Sequence, residues 1–176
     1  MVDVTEISAI VAAVGVLIGV VYYVLDIRHQ TKLRKTDLLI RLYSTYTNSE
    51  FMDAFWKVMS LQVKDYQNYV KQYGSLSQND NPMNRAVFMV IGFYELVGVL
   101  LYRKLIDLVT VYDAFGSVLP VALFEKIKPV LTGMRTVEST SLLGFEYLCH
   151  ELKKKESQMK KGFQRLQNDL NTSTTK

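Results

Sequence analysis

The chain has 176 residues, 49% of them hydrophobic and 22% charged, with a formal net charge of +4. That lies far from the low-hydropathy, high-charge regime of disorder and leaves room for one ordinary domain plus an anchor, not for two full domains. Cys149 is the single cysteine and His29 and His150 are the two histidines, so an intramolecular disulfide is excluded and a soft-ligand zinc site is not supported.

Ile7 to Leu25 is a run of 19 uncharged residues, 11 of them Ile, Leu or Val. At about 1.5 Å per residue the run reaches about 28 Å, close to the roughly 30 Å of a bilayer's hydrocarbon layer. Residues 1–27 are therefore predicted to be a membrane anchor whose transmembrane helix spans about 7–25. Tyr22 and Tyr23 fall near one end, where amphipathic rings prefer the headgroup level. Only Asp3 and Glu6 carry charge before the run, whereas Arg28, Lys32, Arg34, Lys35 and Arg41 follow it. The positive-inside rule then predicts a single-pass protein of the cell membrane, with its N-terminus outside and the remainder cytoplasmic. A cleaved signal peptide would need a basic start, a shorter apolar core and a small-residue cleavage site. Here the start is acidic and Asp26-Ile27-Arg28 follows the core. Ser8, Ala12, Gly15 and Gly19 form a strip of small residues, and Gly15-x-x-x-Gly19 would let two membrane helices pack closely. Incidental spacing accounts for that strip at least as well.

Residues 28–152 are predicted to be a cytoplasmic helical bundle. Leu39, Leu42, Tyr43 and Tyr46 line one side of a helix that can continue directly from the anchor, because no Pro or Gly intervenes between Gly19 and Gly74. Asn48-Ser49 reads as a break and N-cap. Phe51, Phe55, Trp56, Met59 and Val63 follow at helical spacing, and Tyr66, Tyr69, Val70 and Tyr73 continue that apolar side to Gly74. Core packing is the expected role of this aromatic stripe, with a ligand groove as the alternative. Gly74 to Pro82 reads as a surface loop, and Asn81-Pro82 as the N-cap and first position of a helix running to about Lys104. A short helix over Asp107 to Phe115 ends at Gly116. Ser117 or a neighbour starts another, with Pro120 in its first turn and Pro129 kinking or splitting it. With no strand-like alternation and no repeat, the fold class is all-α.

Ala86 to Tyr102 is apolar except for Glu95, and reads either as a second membrane span or as the central, fully buried helix of the bundle. The buried helix is favoured. A carboxylate mid-span is costly, Arg85 and Arg103-Lys104 flank both ends, and a second crossing would export a tail with 12 Lys and Arg against 8 acids. Glu95 itself can be a tuned acid, base or metal ligand. It can equally be a structural group paired with Arg85, Arg103 or Arg135, or hydrogen-bonded to a tyrosine hydroxyl. No second acid, histidine or Gly-rich loop is fixed near it by sequence, so the structural role is expected.

The last helix carries Leu142, Phe145, Cys149, Leu152, Glu156, Met159, Phe163, Leu166 and Leu170 at spacings of three and four, a heptad seam broken only by Glu156. Residues 153–170 extend it as a basic helix, with Lys153, Lys154, Lys155, Lys160, Lys161 and Arg165 around the seam. That half can dimerise, bind another helix or lie along anionic lipid, while a solvated face is the commonest fate of such a run. Nucleic-acid binding is disfavoured, because no recognisable nucleic-acid-binding fold motif accompanies the charges. Residues 171–176 read as a disordered tail.

The order of features resembles an uncharacterised prokaryotic domain-of-unknown-function family, N-terminally membrane-anchored and all-helical. The residues that carry the likeness are Arg28-His29-Gln30-Thr31 after the anchor, Ser49-Glu50-Phe51, Phe93 to Leu100 running into Leu105-Ile106-Asp107, Asp113 to Gly116, and Phe145 to Leu148. The likeness covers roughly residues 7 to 155 and implies no activity, cofactor or catalytic residue. No Gly-rich phosphate loop, H-E-x-x-H, nucleophile elbow or C-x-x-C occurs in the sequence. The leading expectation is a membrane-tethered scaffold or adaptor, without enzymatic activity or cofactor. Its partners would be the lipid bilayer and a protein or second copy, met through the membrane helix or the C-terminal helix. The alternatives are a small-molecule sensor or enzyme with a pocket at Glu95, and anionic-lipid or nucleic-acid binding by the basic helix.

Overall fold

The computed structural model describes residues 3–76, 81–137 and 139–173, with the side chains of 4–12, 137, 162, 163 and 165–173 outside that description. Seven helices and no strand occur among the described residues. They fall into two compact units, Met1–Arg41 and Leu42–Lys176.

Helix α1 (Val4–Tyr46) is unbroken, as the lack of a helix breaker between Gly19 and Gly74 predicts. Every residue from Ala13 to Leu25 is exposed, including Val16, Leu17 and Ile18 at 66%, 64% and 64%. Ser8, Ala12 and the rest of the apolar run before Ala13 fall on side chains outside the description. A Cβ on Gly15 or Gly19 would meet nothing within 4 Å.

The second unit holds the end of α1 and helices α2 (Ser49–Met59), α3 (Tyr66–Tyr73), α4 (Pro82–Tyr102), α5 (Leu108–Phe115), α6 (Val118–Val137) and α7 (Leu143–Ser173). Short polar side chains start four of them. Asn48, Asp65, Asn81 and Asp107 accept hydrogen bonds from the amides of Glu50, Asn68, Met83 and Thr110 respectively. Gly74 and Gly116, at φ 79° and 68°, end α3 and α5 in a conformation that side chains disfavour. The chain then bends by 87° from α5 into α6.

Two expectations need correction. The aromatic stripe from Phe51 to Tyr73 is two helices. Ser60 closes α2 with its amide donating to the Trp56 carbonyl, Leu61 turns into the core, and Asp65 caps a new start. Trp56 lies outside that core, 56% exposed. Of the two outcomes expected at Pro129, a kink or a split, the split does not occur: α6 runs through it from Val118 to Val137. The lost hydrogen bond is offset by burial of Ile127, Val130 and Leu131 around it.

Helix α4 packs against α2 and α7. Its Val87, Val90, Ile91, Tyr94 and Val97 are buried, while Phe88, Met89 and Leu96 remain 40%, 38% and 49% exposed. A fully buried helix is therefore not what forms: one face is core and the opposite face is apolar and open. Among the described residues α4 is long and apolar enough to cross a membrane, with 50% of that window buried within the protein, a test that the core helix of a soluble domain passes as well. Around it Tyr46, Phe51, Phe93, Tyr94, Phe115 and Phe145 form a connected cluster of rings, with centroid separations such as 4.8 Å for Phe51–Phe93 and 4.9 Å for the stacked Tyr94–Phe145 pair.

Candidate functional site

The one carboxylate in the apolar run of α4 meets the start of α7. Glu95 Oε1 accepts from the Gly144 amide at 3.1 Å and Oε2 from the Phe145 amide at 2.7 Å. These are among the amides that a helix start leaves without an intrahelical partner, and a carboxylate there also meets the positive end of the helix dipole. Helix α7 needs such help. The residue in front of it is Leu142, which offers no side-chain acceptor and sits at φ 58°, in the left-handed region. The Leu142 carbonyl accepts from the Glu146 amide, and its side chain is buried.

One turn along α4, Gly98 lets the helices close. A Cβ there would overlap the Gly144 carbonyl group, and a Cβ on Gly144 would fall 2.8 Å from the Glu95 carbonyl oxygen. Two glycines and one carboxylate thus bring the α4 backbone against the first turn of α7. None of the arginines considered as partners from sequence meets Glu95 in the described contacts. Arg135 instead donates Nε to the Ser141 carbonyl at 3.0 Å and pairs with Glu146, fixing the entry to α7 from the α6 side. With both carboxylate oxygens engaged by backbone amides, Glu95 acts as a remote helix cap.

The other buried polar groups are local. Asn84 accepts from the Tyr69 hydroxyl at 2.6 Å and donates to the Tyr73 and Ser75 carbonyls, joining the end of α3 to α4. Burial pushes the Tyr69 hydroxyl up to about 12. The Tyr94 hydroxyl is buried without a hydrogen-bond partner among the described residues, and burial raises its pKa furthest. Burial also pushes the Cys149 thiol up to about 12, and its Sγ lies 3.6 Å from the Pro120 carbonyl oxygen. Such a thiol is protonated and shielded.

Helix α7 explains the break in its own heptad. Glu156 accepts from the Ser117 hydroxyl at 2.9 Å and pairs with Lys160 at 2.7 Å, and these contacts hold its carboxyl below the usual range. Leu152 is the last side chain described as buried on α7, and Met159 is 37% exposed. Phe163, Arg165, Leu166 and Leu170 fall on side chains outside the description. Of the basic run, Lys153, Lys154 and Lys161 are all exposed, and Lys153 pairs with Glu125 at 2.9 Å.

Open grooves lie elsewhere. One of about 590 Å³ is lined by Lys64, Asp65, Tyr66, Pro129 and Gly133, where the Tyr66 ring occupies the space of a Gly133 side chain. Another of about 500 Å³ is lined by Glu50, Asp53, Lys57, Arg85 and Met89. Glu95 lines neither. Among the described residues no group of three His, Cys, Asp or Glu side chains converges as a metal would require.

One family profile matches residues 9–152, a range that holds both sides of the Glu95–Gly144 junction and stops at Leu152. No curated protein and no solved structure matches the chain. On the strength of that profile, the chain belongs to the family described as Domain of unknown function (DUF4760).

Proposed function

We propose that this chain is a single-pass membrane protein whose helical bundle faces the cytoplasm and serves as a non-enzymatic scaffold or adaptor. The observation that carries the reading is the surface of α1. From Ala13 to Leu25 every side is apolar and exposed, with Val20, Val21, Tyr22, Tyr23 and Leu25 each at 55% or more. Leaving apolar surface in water costs about 25 cal/mol per Å², and a helix apolar all round has no polar face to present. A bilayer removes that cost, and the basic residues from Arg28 to Arg41 set the direction of insertion.

The adaptor role is supported by what the bundle offers. Glu95, its best candidate for chemistry, has both oxygens engaged in capping α7. What stays open is an apolar stripe on α4, Phe88, Met89 and Leu96, of the kind that protein partners cover.

Flotation and alkaline-carbonate extraction of the expressed chain test the anchor, and protease protection of tags at either end tests its direction. Crosslinking in native membranes then tests the adaptor role. A chain that stays soluble and monomeric after ultracentrifugation without detergent would overturn the anchor. Turnover of a small molecule abolished by Glu95→Gln, with folding retained, would overturn the non-enzymatic reading.

A further inference from the structure

Two stretches are rich in Lys and Arg, one in α1 and one in α7, and their charges are engaged differently. In α7 two of the cations meet carboxylates, Lys153 at 2.9 Å from Glu125 and Lys160 at 2.7 Å from Glu156, while Lys154 and Lys161 are exposed. In α1 it is the carboxylates that are occupied. Asp26 accepts from Gln30 at 2.9 Å, and Asp37 pairs with Arg41 at 2.9 Å. Among the described residues no carboxylate pairs with Arg28, Lys32, Arg34 or Lys35, all of which are exposed.

Arg28, Lys32 and Lys35 are spaced four and three apart, so they share an arc of about 60° on one face of α1. Arg28 follows Leu25 by three residues and Lys35 by ten, which is about 4.5 and 15 Å of helical rise. That range covers the headgroup layer and the screening length of about 8–10 Å beyond it. Side chains on a helix lean toward its N-terminus, so all three reach back toward the apolar run and not away from it. A guanidinium can fork onto a phosphodiester, and ammonium groups add point charges around it.

We propose that Arg28, Lys32 and Lys35 form a strip that binds the phosphate-bearing headgroups of anionic lipids, so that this protein selects its lipid neighbours through α1 and not through its basic C-terminal helix. The proposal rests on the reading of residues 7–25 as a membrane span.

The test is reconstitution of the whole chain in phosphatidylcholine vesicles with a minority of phosphatidylglycerol, followed by gentle extraction and mass spectrometry of the retained lipid. Phosphatidylglycerol should be retained above its bulk share. Each of Arg28→Gln, Lys32→Gln and Lys35→Gln should lower that preference about fivefold, and the triple variant should return it to the bulk ratio. Raising the salt should weaken it, and replacing Lys153, Lys154 and Lys161 by Gln should leave it unchanged. Retention at the bulk ratio by the unaltered chain, preference that survives the triple substitution, or preference lost with the α7 lysines would each overturn the strip. Insertion into pure phosphatidylcholine vesicles separates the two readings. A chain stripped from them by alkaline carbonate fails as a membrane protein and takes the strip with it. One that inserts but shows no lipid preference overturns the strip alone.

Discussion

Gly98 of α4 and Gly144 of α7 stand backbone to backbone: a methyl group on Gly98 would occupy the space of the Gly144 carbonyl. The approach is what carries the Gly144 and Phe145 amides, in the first turn of α7, within reach of Glu95, one turn earlier on α4. Overpacking a closed contact of this kind costs about 1–3 kcal/mol, and more where the obstacle is backbone and cannot rotate away. Gly98→Ala should therefore destabilise the bundle by at least that much in urea unfolding of the detergent-solubilised chain. Gly92→Ala is the control, because a Cβ there meets nothing within 4 Å. Replacing a helical glycine by alanine at that open site should stabilise by about 0.5–1 kcal/mol. Equal responses at the two glycines would refute the close approach.

Glu95→Ala should remove the cap and cost about 1–2 kcal/mol, while Glu95→Gln keeps one carbonyl oxygen and loses less. The loss is local, so amide hydrogen exchange should accelerate at Gly144 and Phe145 before it changes in α2. Uniform acceleration across the bundle would point to a general packing role for Glu95 and against capping.

This junction shows what the sequence does and does not disclose. The caps at Asn48, Asn81 and Asp107 are legible because each acceptor lies within three residues of its donor. Glu95 and its amides are separated by about 50 residues, and no local spacing connects them. One anomaly was nonetheless present, a lone carboxylate in an apolar run, whereas Thr140 and Ser141 just before Leu142 hide the uncapped start of α7. Splitting the stripe from Phe51 to Tyr73 was hidden for the opposite reason. Neither Gly nor Pro marks Ser60 to Asp65, and the turn depends on Leu61 finding a place in the core. Trp56 shows how an apolar residue at helical spacing can still face outward.

Tyr94 places a hydroxyl in the aromatic cluster without a hydrogen-bond partner among the described residues. Its ring stacks on Phe145 at 4.9 Å, so the ring is needed and the oxygen is not. An unsatisfied buried polar group costs about 1–3 kcal/mol. Tyr94→Phe should thus be neutral or stabilising by about 1 kcal/mol in the unfolding midpoint, and Tyr94→Leu should be clearly destabilising. A loss above about 1 kcal/mol in the Phe variant would show that the hydroxyl is satisfied in solution.

Acid should loosen the contacts that hold the middle of α7. Glu125 and Glu156 are both held below their ordinary value of 4.5, the first chiefly by its hydrogen bond to Lys153 and the second by those to Lys160 and Ser117. A carboxyl whose folded pKa is depressed contributes its stabilisation in full above the unfolded value and loses it as pH falls through the folded one. These pairs should add nothing pH-dependent between pH 7 and 5 and should weaken below about 4.5. The contribution is small, because both pairs are solvent-screened. Doubly substituted Glu125→Gln, Glu156→Gln protein should show a shallower loss of stability in acid than the unaltered chain. Parallel curves would exclude these pairs as the source.

Cys149 provides the opposite slope. Its thiol is buried between α7 and the start of α6, and burial lifts its pKa from 9.0 to about 12. The unfolded chain can ionise that thiol above pH 9 while the folded chain cannot, so raising the pH past 9 favours unfolding, increasingly as pH approaches 12. Below pH 9 the group is neutral in both states and contributes no slope. Cys149→Ala should flatten the alkaline limb of the stability curve, at the cost of a lower plateau from the lost packing. The same burial predicts that iodoacetamide labels the folded chain at pH 8 far more slowly than the urea-unfolded chain, since attack needs an exposed thiolate. Labelling at equal rates in the two states would mean that α7 leaves α6 readily, and the packing of Phe145, Leu148 and Leu152 would then have to be redrawn along with it.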